Sequence, residues 1–332
     1  MKGVLRVLSL VAGLTACIFG GPRPVAAQQT PLIKADIAAS TTWWGQIPIM
    51  VAIDKGWFRD AGLVVTLHAI VSSSDRMAAV ASGSAVFSNL GRIAVISNMA
   101  RGDTSFWYFA NIDDSPGNEG CWARPGFTSF KDLRGHKVAA NTSAEITMNG
   151  LLSNAGMTEK DVQFVNLPPD QMAPAMAKGD VDAACVWQPL LAGVEQAAPG
   201  GKLLGLDSDT PIGQKFHTMA SPDIMIISRK FVEQHPDAAH RLAAVLFKGA
   251  DYTNADPQDT AATVAHYFHK TPDEVLAAMK TFKYFGAADW QQHMKVQTEQ
   301  MQYLAQWLQA NGKIPSLPDV QKWENVSFVT KQ

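Results

Sequence analysis

Two clusters of small polar residues carry the chemistry that is easiest to identify in this 332-residue sequence. Ser72 to Ser74 precede one predicted helix, and Asn141 to Ser143 precede another. Serine, threonine and asparagine side chains cap helices by accepting hydrogen bonds from free backbone N–H groups, and such a helix start can also hold an anion. The clusters therefore predict a site for a small oxyanion that needs no buried lysine. Ordinary helix capping is the alternative explanation for any single residue of the two clusters.

Tryptophans form a second group suited to a ligand. Trp43 and Trp44 follow a predicted strand in "STTWWG", and Trp187 follows another in "VWQPLL". Their flat rings could cover the apolar part of a small molecule. Because side chains alternate at the end of a strand, we expect one of Trp43 and Trp44 to face a cleft and the other to pack under the following helix. The sequence leaves open which is which.

Signatures of catalysis are absent from the sequence. It contains no G-x-S-x-G, H-E-x-x-H, G-x-x-x-x-G-K-[ST] or G-x-G-x-x-G motif. His266 and His269 can share a helix face, but no carboxylate is adjacent, which favours a solvated pair over a metal site. Asp113 and Asp114 belong to the loop "DDSPGNEG", for which a hydrated turn is predicted. We therefore expect a binding protein that has no cofactor and is not an enzyme.

The elements that must position these residues follow an α/β pattern. The segments "LIKADIAAS" and "LVVTLHAI" are predicted strands, and "IPIMVAIDKG" between them is a predicted helix that ends at Gly56. From Val232 to Leu308, helix starts are predicted at "HPDAAHRL", "DPQDTAATV", "TPDEVLAAM" and "ADWQQHM". The Pro-interrupted tail that follows is predicted to lie on the surface.

An internal repeat extends this pattern. "AGLVVTLHAIVSSSDRMAAVASGSAVFSNL" from Ala61 and "AGMTEKDVQFVNLPPDQMAPAMAKGDVDAACV" from Ala155 share an Ala-Gly turn, a strand, a loop, an alanine-rich helix and a closing strand. Each helix stops at a glycine, Gly83 or Gly179, which can adopt the left-handed C-cap conformation. Chance similarity between alanine-rich helices is the alternative, but the shared order of features favours two related α/β lobes.

The strands "TSFWYFANI" and "GCWARPG" are predicted to carry the chain from the first lobe to the second, and "PDIMIISRKF" is predicted to carry it back. In a two-lobe α/β protein, ligands bind where strand ends and helix starts from both lobes converge. The two polar clusters and the tryptophans all fall at such positions.

The N-terminal segment is typical of an export signal. Lys2 and Arg6 precede an apolar run that is too short to span a bilayer stably, and small residues follow it. Cleavage after Ala27 is the main prediction, and lipidation at Cys17 in the lipobox-like "LTAC" is the alternative. The protein is therefore predicted to be periplasmic.

Export has consequences for charge and for the cysteines. Removal of the basic residues before position 28 would lower the formal net charge from −2 to −5 and would leave no Lys/Arg cluster, which makes nucleic acid an unlikely partner. Cys121 and Cys185 would enter an oxidising compartment, where they could pair or remain as two buried thiols.

Several motifs, taken in order, resemble the periplasmic solute-binding proteins of the taurine, alkanesulfonate and nitrate ABC importers. They are "IPIMVAIDKGWFRDAGLVVTL", "MAAVASGSAVFS", "FKDLRGHKVAANTSAEI", "AMAKGDVDAACVWQPLL" and "ISRKFVEQHPDAAHRL". The resemblance covers most of the chain from about Ile33 to the final helices. The same superfamily holds binding proteins for thiamin-pyrimidine precursors, and pyrimidine synthases of thiamin biosynthesis share its fold.

The resemblance implies the two-lobe periplasmic binding protein fold of type II, with two crossover strands as its hinge. It implies a signal peptide at 1–27, a discontinuous first lobe at 28–113 and 222–332, and a second lobe at 114–221. It also implies a monomer that captures a small polar or anionic solute for an ABC permease and its ATPase. A sulfonate or taurine-like solute is favoured, and a pyrimidine or thiamin precursor or another nitrogen compound is the alternative.

Ligand contacts of the family transfer by position to six segments of this chain. The implied residues are Thr41, Thr42, Trp43, Trp44, Ser72, Ser73, Ser74, Asn89, Asn141, Thr142, Ser143, Trp187 and Asp223. Relatives often carry an acid directly after the tryptophan of the "W-x-P" segment, where this chain has Gln188. An ammonium-bearing ligand such as taurine would then have Asp223 or Glu145 as its counter-charge.

Overall fold

The computed structural model describes residues 32–329, without the side chains of residues 290–295. The predicted signal segment, with Cys17 and Ala27, lies outside the described residues. The strands are β1 (Ile33–Lys34), β2 (Ile37–Ala39), β3 (Leu63–Val64), β4 (Leu67–Ala69), β5 (Phe87–Gly91), β6 (Phe106–Ala110), β7 (Asp113–Asp114), β8 (Glu119–Ala123), β9 (Lys137–Ala140), β10 (Gln163–Asn166), β11 (Ala183–Trp187), β12 (Lys202–Leu206), β13 (Asp223–Ser228) and β14 (Lys283–Tyr284).

The α-helices are α1 (Ile47–Asp54), α2 (Trp57–Asp60), α3 (Ser73–Ser82), α4 (Arg92–Ala100), α5 (Glu145–Asn154), α6 (Met172–Lys178), α7 (Leu190–Ala197), α8 (Pro211–Phe216), α9 (Arg229–Gln234), α10 (Pro236–Ala255), α11 (Pro257–Phe268), α12 (Pro272–Met279) and α13 (Ala287–Ala310). The four helix starts predicted after Val232 are confirmed by α10 to α13. Within residues 32–329, no helix has the length and apolar character needed to cross a bilayer.

Two five-stranded sheets share one arrangement. The first sheet has the order β4-β2-β5-β13-β6, in which β13 runs antiparallel to both of its neighbours. The second has the order β10-β9-β11-β8-β12, in which β8 runs antiparallel to both of its neighbours. In each sheet the antiparallel strand is the first one after the chain has crossed from the other sheet. The chain therefore crosses between the sheets twice, near residues 111–118 and 217–222.

The internal repeat predicted from sequence is confirmed at its glycines. The helix α3 ends at Gly83, which has φ 81°, and α6 ends at Gly179, which has φ 79°. Both glycines take the left-handed conformation that a residue with a side chain avoids. The strands that follow, β5 and β11, occupy equivalent positions in their sheets.

Apolar side chains cover both faces of the first sheet. One face packs against α1, α10 and α11, and the other against α4 and α13. Gly249 lets α10 approach α1 closely, because a Cβ there would lie 2.2 Å from the carbonyl oxygen of Pro48. The second sheet has its own apolar core, and Trp43 from the loop after β2 belongs to it.

Two predicted features differ in the structure. The first predicted strand is divided into β1 and β2, and the second is divided into β3 and β4. The two segments still run parallel, and at the break Ala35 N donates a hydrogen bond to Val64 O. The tail is packed rather than superficial, because Trp323 is buried and its indole N–H donates to Asp103 O at 2.6 Å. Its backbone also reaches the first sheet, where Asn325 N donates to Tyr108 O.

A disulfide joins Cys121 to Cys185, which resolves the alternatives left by the sequence. The two residues lie directly opposite each other on the antiparallel strands β8 and β11. Their Cα atoms are 4.0 Å apart. The bond therefore ties the strand that enters the second sheet to the last strand of the repeat unit.

Candidate functional site

A small cavity lies where the two sheets meet, with walls from both. It is partly open, and its walls border about 340 Å³ of empty space, some of it continuous with solvent. We call it the ligand cavity. Its wall residues are Ser40, Trp43, Ser73, Arg76, Glu119, Ser143, Trp187, Met219, Ser221 and Asp223.

Strand ends and helix starts supply most of this wall. Ser40 directly follows β2, Ser73 opens α3, and Trp187 ends β11. Parallel strands of an α/β sheet present their carboxyl ends, and the helix starts after them, at one edge. The same local pattern in both repeats therefore delivers polar groups from two sheets to one place.

Two serines meet across the junction of the sheets. Ser73 Oγ and Ser143 Oγ are 3.0 Å apart, although Ser73 follows a strand of the first sheet and Ser143 follows a strand of the second. Gly91 makes room for them, because a Cβ there would lie 2.9 Å from Ser143 Oγ and 3.3 Å from Ser73 Oγ. A side chain at position 91 would separate the two hydroxyls.

Arg76 is the cation of the ligand cavity, and it is 3% exposed. One terminal nitrogen donates to the carbonyl oxygens of Ile70 and Val71, both at 2.7 Å, and the other donates to Ser73 Oγ at 3.1 Å. Its Nε atom is buried without a partner among the described residues. Burial lowers the pKa of Arg76, and the negative charge of Asp223 acts in the opposite direction.

Asp223 faces this cation at the first position of β13. Its Oδ2 accepts hydrogen bonds from Gln46 Nε2 at 2.9 Å and from Asn89 Nδ2 at 3.4 Å. Burial raises the pKa of Asp223 to about 6, while the positive charges of Arg76 and Arg92 and the Gln46 bond work against that rise. The carboxylate is therefore ionised at neutral pH and can accept from a ligand.

Glu119 brings a second carboxyl group from β8. Thr147 Oγ1 donates a hydrogen bond to its Oε1. Burial, with the negative charge of Asp207 nearby, raises the pKa of Glu119 to about 8. At neutral pH Glu119 is mostly a neutral acid, which can donate a hydrogen bond as well as accept one.

Asp113 lies behind the wall of the ligand cavity. The hydrated turn predicted for it is wrong. Asp113 is fully buried in β7, which pairs with β14, so no water surrounds it. Burial and the charge of Asp223 raise its pKa well above the usual range. Its Oδ2 and the Trp43 indole nitrogen both lie beside Gly45, where a Cβ would be 2.4 Å from each. A turn was predicted for Asp113 because proline and glycine follow it closely in the sequence.

The two neighbouring tryptophans have separate positions. Trp43 lines the ligand cavity, where its ring lies edge-on to Trp187 at 6.4 Å and to Phe282 at 5.0 Å. Trp44 is buried in the core of the first sheet against Phe268, with ring centroids 4.2 Å apart. Of the two tryptophans, Trp43 thus faces the cavity, and Trp44 lies away from it.

An open groove adjoins the ligand cavity and holds the rest of both polar clusters. It has about 1020 Å³ of empty volume and includes Ser72, Ser74, Asn141 and Thr142. Ser72 Oγ accepts from Asp75 N, and Asn141 Oδ1 accepts from Ala144 N at 2.9 Å. For these two residues the capping explanation therefore describes the observed bonds. Ser73 and Ser143 lie on both the groove and the cavity.

The other predicted residues have roles around the cavity rather than on its wall. Thr42 O accepts the Trp187 indole N–H at 3.1 Å, and Thr41 precedes it on a turn. Asn89 supports Asp223 from behind. Glu145 is paired with Lys313 at 2.7 Å, and Gln188 Oε1 accepts from Ala192 N.

Sequence reasoning missed several wall residues. They are Ser40, Arg76, Glu119, Met219 and Ser221. The position of Arg76 three residues after Ser73 on one helix was a usable signal, because such residues share a face. Glu119 had no local signal, since it arrives on a strand that has crossed from the other sheet. Across the described residues, no group of three or more His, Cys, Asp or Glu side chains is placed to hold a metal ion.

Comparison with known proteins gives a family and a fold. The model of the family described as NMT1/THI5 like matches residues 44–260. A putative binding protein of Brucella abortus is 26% identical over 230 residues, which is 68% of each chain. A putative aliphatic sulfonates-binding protein of Bacillus subtilis is 29% identical over 255 residues, 74% of this chain and 72% of that protein.

The chain is also similar in sequence to an enzyme and in structure to a solved binding protein. A 4-amino-5-hydroxymethyl-2-methylpyrimidine phosphate synthase of Saccharomyces cerevisiae is 25% identical over 225 residues, 64% of each chain. The alkanesulfonate-binding protein of Xanthomonas axonopodis pv. citri, solved with MOPS bound, superimposes with a TM-score of 0.73 at 16% identity, covering 89% of this chain and 99% of that one. The fold is that of the periplasmic binding proteins.

Proposed function

The chain belongs to the NMT1/THI5-like family, and from this premise we propose that it is the extracytoplasmic solute-binding component of an ABC importer. Its ligand is a small polar or anionic organic solute, with a sulfonate or taurine-like compound favoured. The observation that carries this proposal is the cavity between the two sheets, in which a buried arginine and serines from both sheets converge. The relatives described as binding proteins support the same conclusion.

The acidic group of the solute lies at the Arg76 end of the ligand cavity. Ser73, Ser143 and the free Nε of Arg76 supply hydrogen bonds that replace lost hydration. In a buried site such charge-assisted bonds are stronger than bonds between neutral groups. Trp43 and Trp187 cover the apolar part of the solute, and Asp223 accepts from an amino group where the solute has one.

Closure of two lobes around the solute stabilises the bound state. The first lobe comprises residues 28–113 and 222–332, the second comprises residues 114–221, and the two crossings form the hinge. The closed protein is a monomer that presents both lobes to a membrane permease driven by an ATPase. It is exported to the periplasm and cleaved after Ala27, or it is tethered to the membrane by a lipid on Cys17.

Binding rather than catalysis suits the chemistry of the ligand cavity. Ser73 Oγ contacts Ser143 Oγ, Gly91 N and the Arg76 guanidinium, and none of these partners in the described part of the chain is a base that could take its proton. A nucleophilic serine needs such a base. The similarity to a yeast synthase makes the enzymatic alternative concrete, because that protein is named for the synthesis of a hydroxymethylpyrimidine phosphate.

A titration of the purified mature protein tests the proposal. Taurine, ethanesulfonate, nitrate and a hydroxymethylpyrimidine are added in turn, and the melting temperature and the heat of binding are measured. We expect a sulfonate to raise the melting temperature, because a ligand that binds only the folded state stabilises it by mass action.

Two variants localise that binding. Arg76→Met should weaken sulfonate binding by roughly a hundredfold, about 2.7 kcal/mol, while Ser74→Ala in the outer groove should leave it within about twofold. A folded protein that binds none of the four solutes contradicts the receptor proposal. Binding of the pyrimidine alone would favour the alternative solute class.

A further inference from the structure

A second cavity lies against both chain crossings. It has about 1060 Å³ of empty volume and shares no wall residue with the ligand cavity. Asn111 and Asp114 line it from the first crossing, and His217 and Thr218 line it from the second. We call it the hinge-side cavity.

Three buried side chains on its wall have polar atoms without a hydrogen-bond partner in the described part of the chain. Gln297 is 3% exposed, and neither atom of its amide has a partner in the described part of the chain. Gln300 donates nothing from its buried Nε2, and Arg92 leaves its Nε free. Buried polar groups are nearly always paired with protein, water or a bound molecule, so unpaired groups on one wall mark a place for a polar occupant.

The charges on this wall favour an anion. Arg92 is fully buried, and its Nη1 donates to Gln300 Oε1 at 2.7 Å. Lys280 and Lys283 stand exposed at the same cavity. The opposing acid is Asp114, whose Oδ1 already accepts from Met219 N and Ser115 N, both at 3.0 Å. Donors therefore outnumber free acceptors around the space.

We propose that the hinge-side cavity binds a small organic carboxylate and that its occupation changes the affinity of the ligand cavity. The first statement stands on the wall chemistry alone, and the second rests on the proposed function. Phe282 supplies a physical connection, because it lines the hinge-side cavity and packs against Trp43 at 5.0 Å. Since both crossings form the wall, an occupant contacts the segments that must bend when lobes close.

Calorimetric titration with citrate tests the site, with sodium sulfate at equal ionic strength as the control for general salt effects. We expect saturable citrate binding at millimolar concentration or below. Gln297→Leu and the surface variant Lys280→Gln/Lys283→Gln should each weaken it at least tenfold, and Lys322→Gln should not change it. Equal binding by sulfate, no saturable binding, or equal affinity in all variants would overturn the proposal.

The coupling is measured separately. Coupling predicts that citrate changes the sulfonate affinity of the unmodified protein at least fivefold. The same citrate concentration should leave the sulfonate affinity of Lys280→Gln/Lys283→Gln unchanged. Unchanged sulfonate affinity under saturating citrate refutes the coupling. Because citrate binding is measured without a sulfonate, failure of the receptor proposal would leave the result for the site readable. A folded Lys280→Gln/Lys283→Gln variant also keeps the test valid if Gln297→Leu misfolds.

Discussion

At the scale of single residues, the adjacent Trp43 and Trp44 occupy different environments. Strand-end alternation predicted one for a cleft and one for the core, and the structure puts Trp43 on the ligand cavity and Trp44 against Phe268. The alternation rule could not choose between them, because the choice depends on where α11 and the second sheet lie. Both are distant in sequence, since the second sheet begins at Glu119 and α11 begins at Pro257.

The pair provides an internally matched test. Trp43→Ala should weaken ligand binding at least tenfold because it removes the cavity wall, whereas Trp44→Ala should lower the free energy of unfolding by about 3–5 kcal/mol because it empties a core site. Calorimetry measures the first effect, and urea unfolding measures the second. If both variants keep ligand affinity within about twofold, Trp43 does not cover the ligand.

The buried acids predict a pH dependence of stability. Glu119 releases its proton near pH 8 in the folded protein and near its ordinary value of 4.5 when unfolded. Between these values the folded state holds more protons, so the free energy of unfolding should fall as the pH rises from about 5 to 8. Asp223, with a pKa of about 6, and Asp207, with a pKa of about 7, act in the same direction.

Urea unfolding of the unliganded protein at pH 5, 6.5 and 8 measures this decline. Glu119→Gln removes one of the titrating groups and should flatten the decline by roughly 1 kcal/mol or more across that range. Glu233→Gln, an exposed acid outside the ligand cavity, serves as the control. A free energy of unfolding that rises between pH 5 and 8 would show that the pKa values of these acids are not raised in the folded protein.

At the scale of elements, Lys313 joins two helical layers. It follows α13, and its Nζ contacts Glu145 at the start of α5 and Glu159, at 2.7 and 2.6 Å. Both acids lie in the part of the chain that forms the second sheet and its helices, whereas α13 packs on the first sheet. The three side chains are mostly shielded from water, which makes their attraction stronger than that of a surface pair.

We expect Lys313→Met to open this contact and to weaken ligand binding about three- to tenfold, chiefly through faster dissociation, because the closed arrangement loses an ion pair. Stopped-flow measurement of ligand release checks this. Lys270→Met is the control, since Lys270 pairs with Glu274 within one exposed stretch of chain. Identical release rates in all three proteins would exclude a role for Lys313 in closure.

The disulfide also acts at the scale of elements. Cys121 and Cys185 are separated by 64 residues, and closing such a loop restricts the unfolded chain by about 4 kcal/mol in the entropic account. The double variant Cys121→Ala/Cys185→Ala should therefore unfold at lower urea concentration, and the unmodified protein in dithiothreitol should behave likewise. Ligand affinity of the folded protein should stay within about twofold. Equal unfolding midpoints with and without the bond would contradict this stabilisation.

Elements with a strong local signal were predictable, and those that depend on distant partners were not. The glycine stops of α3 and α6 and the four late helices follow from residues beside them. The burial of Asp113 does not, because it results from pairing with β14 some 170 residues later. The tail was likewise misjudged, since its prolines indicated an irregular segment but not that Trp323 would fill a place beside Asp103.

At the scale of the whole molecule, repetition of one strand order explains why the site could be partly predicted. Each sheet has a polar helix start at its edge, so Ser73 and Ser143 were identified before their contact was known. The cavity wall also needs residues that the crossings deliver, such as Glu119 and Asp223. Only Asp223 was predicted, and only through family resemblance, because no local pattern tells which residues of a crossing strand face the other sheet.

Closure of the whole molecule can be tested at the contact between Ser73, which follows a strand of the first sheet, and Ser143, which follows a strand of the second. Ser73 Oγ lies 3.0 Å from Ser143 Oγ, a spacing from which a pair of cysteines can form a disulfide with little backbone movement. In Ser73→Cys/Ser143→Cys, oxidation with ligand present should trap the closed state and slow ligand release at least a hundredfold, with recovery on mild reduction. Release is measured by dilution of labelled ligand, and each single-cysteine variant is the control for loss of a hydroxyl. Release that is equally fast before and after oxidation would contradict a ligand site that closes between the two sheets.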